Sequence, residues 1–108
     1  MKGWLFLMVA IVFEVAGTTS MKLSDGFTKL TPSVLIFVFY AVSFTLFTLC
    51  LRHMDVSIAY AVWAGLGTAL IAVIGIAWFK EPLTAMKVLS LLLIIVGVVG
   101  LNLPAVKH

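Results

Sequence analysis

The stretch "AIVFEVAGTTSMK", residues 10–22, places a carboxylate, Glu14, inside an otherwise apolar run. At ~1.5 Å rise per residue, Glu14 lies about 16 Å into a helix that begins near residue 3, close to the middle of a bilayer. An ionisable group at that depth is expensive and marks a site for protons or cations by default. Helical offsets of three, four and seven put Ala10, Leu7, Ile11, Gly17, Thr18 and Met21 on the same face as Glu14. Small residues there leave space beside the acid, and Thr18 brings a hydroxyl. No lysine or arginine falls inside any apolar span, so Glu14 has no ion-pair partner in reach. A purely structural alternative is a protonated glutamate bonded to a neighbouring hydroxyl, tying helices together.

Aromatic residues sit at matching depths. "AYAVWAGLG" places Tyr60 and Trp63 three apart, and Tyr40, Ser43, Phe44 and Phe47 share similar spacing. A carboxylate among aromatic faces suits an organic cation, through charge, stacking and cation–π attraction. Such stripes also serve packing or lipid contact, but the polar tips of Tyr40, Tyr60 and Trp63 need partners in hydrocarbon and favour an interior cavity. Gly65 and Gly67 flank Leu66 and permit a helix bend, although close packing uses glycine equally well. Ser90, Leu93, Gly97 and Gly100 form a seam of small and apolar residues suited to helix–helix contact, so dimerisation is the role expected of that segment. His53 and His108 make no metal cluster, and no nucleophile–base pair is visible. Neither an enzyme nor a metal or cofactor site is expected.

The elements that position these residues follow from the charges. Lys2 to Lys22 encloses 19 residues with Glu14 as their only charge, and Lys29 to Arg52, Asp55 to Lys80 and Lys87 to Lys107 enclose 22, 24 and 19 with none. A spanning helix needs ~20 apolar residues. Four helices are expected, at about 3–21, 32–51, 57–79 and 84–103, in one domain covering residues 1–108. Their short connections make consecutive helices antiparallel. The composition agrees: 64% of the 108 residues are hydrophobic, 10% are charged and the mean hydropathy is +1.28, against roughly 25% charged in soluble domains. The fold class is all-α integral membrane, with no room for a soluble domain or nucleotide site.

The first span makes a poor secretory signal, with one preceding lysine, an internal glutamate and no small-residue cleavage site. Cys50 is the only cysteine, which rules out an intrachain disulfide. The net charge of +3 without a basic run does not suggest nucleic acid. Trp4, Trp78 and Phe79 lie near span ends, where interfacial aromatics belong. Ser24, Asp25 and Gly26 are turn residues, Pro32 suits a helix start, and "KEP" at residues 80–82 separates the last two helices. Lys2, Arg52 and Lys107 fall on one side of the membrane, and Lys22, Lys29, Lys80 and Lys87 on the other. Three against four hardly sets an orientation. Lipid composition or the N-terminal charge can still tip the chain one way, but the reading expected here is dual topology, with oppositely inserted copies pairing.

Over essentially its whole length the chain resembles the small multidrug resistance family of bacterial exporters. The matching stretches are "FEVAGTTSMKLSDGFT", "PSV", "IAYAVWAGLG" and "KEPLT". The resemblance implies an antiparallel homodimer of four-helix subunits in the bacterial cytoplasmic (inner) membrane, exchanging organic cations for protons. It implies that Glu14 is the essential carboxylate, that Tyr40, Tyr60 and Trp63 line the pocket with Ser43 beside them, that helix 3 bends at Gly65–Gly67 and that helix 4 dimerises through Leu93, Ile94 and Gly97. Ser90 stands where some members have glycine. Members specialised for guanidinium carry a tryptophan near the acid where this chain has Gly17. "EVAGTT" therefore resembles the broad subtype that exports quaternary ammonium and polyaromatic cations, although "KEPLT" is shared with guanidinium exporters.

This resemblance implies a mechanism. Desolvation and a second copy's acid both disfavour a charged carboxylate, and the two acids behave as a coupled unit. Protons and a cation then compete for Glu14, with Ala10, Gly17 and Thr18 beside it, and no cofactor is needed. Two rival readings are a guanidinium-selective exporter and one subunit of a heteromeric membrane complex.

Overall fold

The computed structural model describes residues 2–103, and Lys107 and His108 of the sequence reading lie outside them. Four helices occur in the order α1 (Lys2–Leu23), α2 (Leu30–Cys50), α3 (Val56–Ala77) and α4 (Ala85–Leu101), and no strand is present among the described residues. Four helices lie where the sequence places them, with ends displaced by one to two residues. α1, α2 and α3 are each long and apolar enough to cross a membrane. α4, at 17 residues, is shorter, and its length of roughly 26 Å is at the lower limit for the hydrocarbon core.

The chain divides into two compact units, residues 2–55 and residues 56–103. In the first, α1 packs on α2. The seam follows from buried residues spaced seven apart, most of them small. Gly3, Ala10, Gly17 and Ser24 are all buried along the first segment, and Ile36, Ser43 and Cys50 along α2. A seven-residue repeat keeps one stripe of a helix facing its neighbour, and small residues let the backbones approach. Leu7 and Ile11 fill the space between these small positions. A Cβ on Gly3 would meet Met54 Cγ at 2.8 Å and His53 Cβ at 2.9 Å, while one on Gly17 would meet the Tyr40 ring at 3.3 Å. These contacts set the antiparallel register of the hairpin. The outward faces are apolar, including Leu5, Val12, Phe37 and Val38, as hydrocarbon requires.

The turn between α1 and α2 is organised by Ser24. Its hydroxyl donates to the Met21 carbonyl at 2.8 Å and accepts the Phe27 amide at 3.2 Å. Asp25, Gly26 and Phe27 then take positive φ values of 50°, 68° and 68°. Phe27 adopts this disfavoured conformation while its ring stacks on Phe37, with centroids 6.4 Å apart. Pro32 sits in the first turn of α2, where its missing amide hydrogen leaves no helical bond unmade.

In the second unit α3 packs on α4. α3 is continuous through Gly65 and Gly67. A Cβ on Gly65 would come within 2.5 Å of Val98 Cγ2 and 3.2 Å of Ile94 Cγ2, so this glycine admits α4 against α3. α3 is closed by Lys80 at φ 60°, after which the Glu81 amide bonds back to the Gly75 carbonyl at 3.0 Å. The Glu81 carboxylate lies against Gly75, in space a side chain would take. Thr84 caps α4 by accepting the Lys87 amide at 3.1 Å.

Candidate functional site

Glu14, Gly17, Thr18, Tyr40, Ser43 and Ala10, expected from type and spacing at the site, converge in the α1–α2 hairpin. Glu14 is half-buried. Thr18, one turn further along α1, donates its hydroxyl to Glu14 Oε2 at 3.0 Å. The same Thr18 oxygen lies 2.6 Å from the Tyr40 hydroxyl of α2. Thr18 has one hydrogen, so when it donates to Glu14 it accepts from Tyr40. The Tyr40 hydroxyl also has Met21 Sδ within reach, at 3.7 Å. Tyr40 stacks on Phe44 with centroids 5.7 Å apart and planes 7° apart, and Phe13 meets Phe39 at 6.0 Å. The acid thus sits at the end of a hydroxyl chain that leads to the Tyr40–Phe44 stack.

Gly17 makes this arrangement possible. The volume that the sequence reading leaves open beside the acid is taken by the Tyr40 ring, which rests on the Gly17 backbone. Without a Cβ, α1 lets the ring approach closely enough for its hydroxyl to reach Thr18.

Ser43 and Ala10, both expected beside the ligand, are fully buried between the helices. Ser43 Oγ donates to the Ala10 carbonyl at 2.7 Å. That carbonyl also faces the Glu14 amide in the i→i−4 pattern of the helix. Ser43 therefore pins α2 to the turn that carries the acid. Ser43→Ala should leave the fold intact and lower hairpin stability by roughly 0.5–1.5 kcal/mol, read as a lower unfolding midpoint in denaturing detergent. No change in that midpoint would mean the bond carries no net stability.

Tyr60 and Trp63 form their own edge-to-face pair on α3, with centroids 6.1 Å apart and planes at 81°. Tyr60 is exposed and Trp63 half-buried within the chain. Along α4, no residue is buried. Ser90, Leu93, Ile94 and Gly97 are exposed, and nothing lies within 4 Å of a Cβ built on Gly97 or Gly100. The proposed dimer seam is thus free in the single chain, apart from Ile94, whose methyl covers Gly65. Among the described residues, no group of three or more His, Cys, Asp or Glu side chains could hold a metal.

The sequence reading passed over Gly3 and Ser24 as seam residues and Met21 and Phe39 as neighbours of the polar chain. The spacing of Gly3, Ala10, Gly17 and Ser24 was the available signal for the first two. Met21 was visible on the Glu14 face, but its role depends on where Tyr40 falls.

Fold and site define a small multi-pass membrane protein that holds a carboxylate inside its first helical hairpin. The chain belongs to the Small Multidrug Resistance protein family, whose sequence pattern matches residues 2–94. It is 59% identical over 101 residues to the uncharacterized membrane protein YvaE of Bacillus subtilis (strain 168), covering 94% of this chain and 85% of that one. It is 47% identical over 100 residues to the multidrug resistance protein EbrA of Bacillus atrophaeus, covering 93% and 95%. It is 46% identical over 103 residues to the quaternary ammonium compound-resistance protein QacE of Escherichia coli, covering 95% and 94%. These relatives are bacterial, in keeping with a place in the cytoplasmic membrane.

Proposed function

We propose that this protein exports lipophilic and quaternary ammonium cations, with aromatic cations among them, in exchange for protons. The observation that carries the reading is a carboxylate in the first membrane span, with a hydroxyl donor and an aromatic hydroxyl beyond it. The names of EbrA and QacE supply the substrate class by likeness. Glu14 alternates between a proton and a cation. Only a loaded carboxylate lets the site change sides, so an inward proton gradient drives cation exit. Tyr40, Tyr60 and Trp63 offer aromatic faces to the cation, Ala10 and Ser43 hold the backbone that presents Glu14, and Gly65 and Gly67 are the place where α3 flexes. The working unit is an antiparallel homodimer, supported by the near-balanced positive charges and the uncovered seam of α4. In such a dimer, exchange of the two subunit conformations carries the site across the bilayer.

The test is transport current from the purified single chain in liposomes on a solid-supported membrane, perfused with benzyltrimethylammonium and with guanidinium at fixed pH. Current with both cations, larger for benzyltrimethylammonium, is expected. Current with guanidinium alone would replace the broad reading with a guanidinium exporter. Current that appears only with a second, different chain present would assign the protein to a heteromer.

A further inference from the structure

Hydroxyl protons make the Glu14 chain directional. An ionised carboxylate only accepts, so the order is then fixed as Tyr40 to Thr18 to Glu14. Tyr40 has a single proton, and in this order it is given to Thr18. Met21 Sδ, 3.7 Å from the same hydroxyl, then receives nothing. A protonated Glu14 can instead donate to Thr18. Thr18 then turns its hydrogen toward the Tyr40 oxygen, and Tyr40 donates to Met21 Sδ. Every heavy atom stays in place and each hydroxyl keeps one proton. The thioether is a weak acceptor but the only one that closes this reversed chain among the contacts of Tyr40.

Building on the proton-coupled reading above, we propose that Glu14, Thr18, Tyr40 and Met21 form a reversible hydrogen-bond relay, in which Met21 is a positioning residue that favours the protonated acid. The relay sets the direction of the Tyr40 hydroxyl hydrogen by whether the site holds a proton. α2 is the element packed against α1 in this unit, and its titratable residues are Tyr40 and, at its far end, Cys50. On α1 itself the other charged residues, Lys2 and Lys22, lie at the two ends.

The relay assigns opposite signs to two substitutions. Met21→Leu removes the acceptor used only when Glu14 is protonated. Cation binding should then survive to lower pH, with its midpoint about 0.3 unit below wild type. Thr18→Val removes the donor that holds the ionised carboxylate, a charge-assisted bond. Its midpoint should rise by about 1 unit, and Thr18→Ser should restore it. In a Tyr40→Phe background no hydroxyl links Thr18 to Met21, so Met21→Leu should leave the midpoint unmoved.

The measurement is benzyltrimethylammonium affinity of the full chain in lipid nanodiscs, followed by tryptophan fluorescence across pH, with each variant scaled to its own alkaline plateau. A Met21→Leu midpoint that stays or rises, or that falls equally with and without the Tyr40 hydroxyl, overturns the relay. The second result would show a packing effect instead. Wild-type binding with no pH dependence would overturn the proton-coupled reading and the relay together. Wild-type pH dependence with unmoved variants would remove the relay alone.

Discussion

Glu14→Gln should abolish gradient-driven cation transport. The amide keeps the shape of the carboxylate and can still accept the Thr18 hydroxyl, as Glu14 Oε2 does at 3.0 Å. It cannot ionise, so it neither attracts a cation nor exchanges a proton. The helix pair should survive, because its seam is made by Gly3, Leu7, Ala10, Ile11 and Ser43 rather than by the acid. Glu14→Asp keeps the charge but draws it back by one methylene, away from Thr18. Partial activity with an altered pH profile is expected. The readout is current from reconstituted protein under an inward proton gradient, normalised to folded protein. A Gln variant that transports at the wild-type rate would take Glu14 out of the mechanism and leave the hydroxyl chain without a function.

Gly17→Trp should have the next largest effect, through Tyr40. A single methyl at Gly17 would already sit 3.3 Å from two atoms of the Tyr40 ring and 3.4 Å from Phe39 Cβ. An indole there must displace the ring, parting the Tyr40 hydroxyl from Thr18, and it fills the space beside Glu14. Such overpacking costs about 1–3 kcal/mol, so folding of the purified protein has to be checked first. In folded protein the rate ratio of benzyltrimethylammonium to guanidinium should fall about tenfold, equivalent to ~1.4 kcal/mol of discrimination. The ratio is taken in the same proteoliposomes, which cancels differences in protein amount. Gly17→Ala should lower it less, since the ring needs to move by only a few tenths of an ångström. A folded Trp variant with the wild-type ratio would separate Gly17 and Tyr40 from substrate choice.

Much of this was legible from residue type and spacing. Four apolar segments between charges dictate four helices, because hydrocarbon leaves a backbone few other ways to satisfy its polar groups. Glu14 stands out because an acid at that depth is expensive to bury. Its link to Thr18 is also local, since a four-residue spacing on one helix brings the two side chains together. The partners across the hairpin were not determined in this way. Ser43 and Tyr40 lie three apart on α2 and read alike, as polar side chains on one face. Folding buries Ser43 on the Ala10 carbonyl and lays Tyr40 over Gly17. The difference depends on the register of α2 against α1, which is set by which small residues allow the backbones to approach. Sequence alone determined that an ionisable group lies inside a membrane helix, because burial there follows from span length. Only the tertiary structure decided which hydroxyls reach it and which hold the scaffold, because hydrogen bonds between helices depend on ångström-scale register that hydrophobic patterning leaves free.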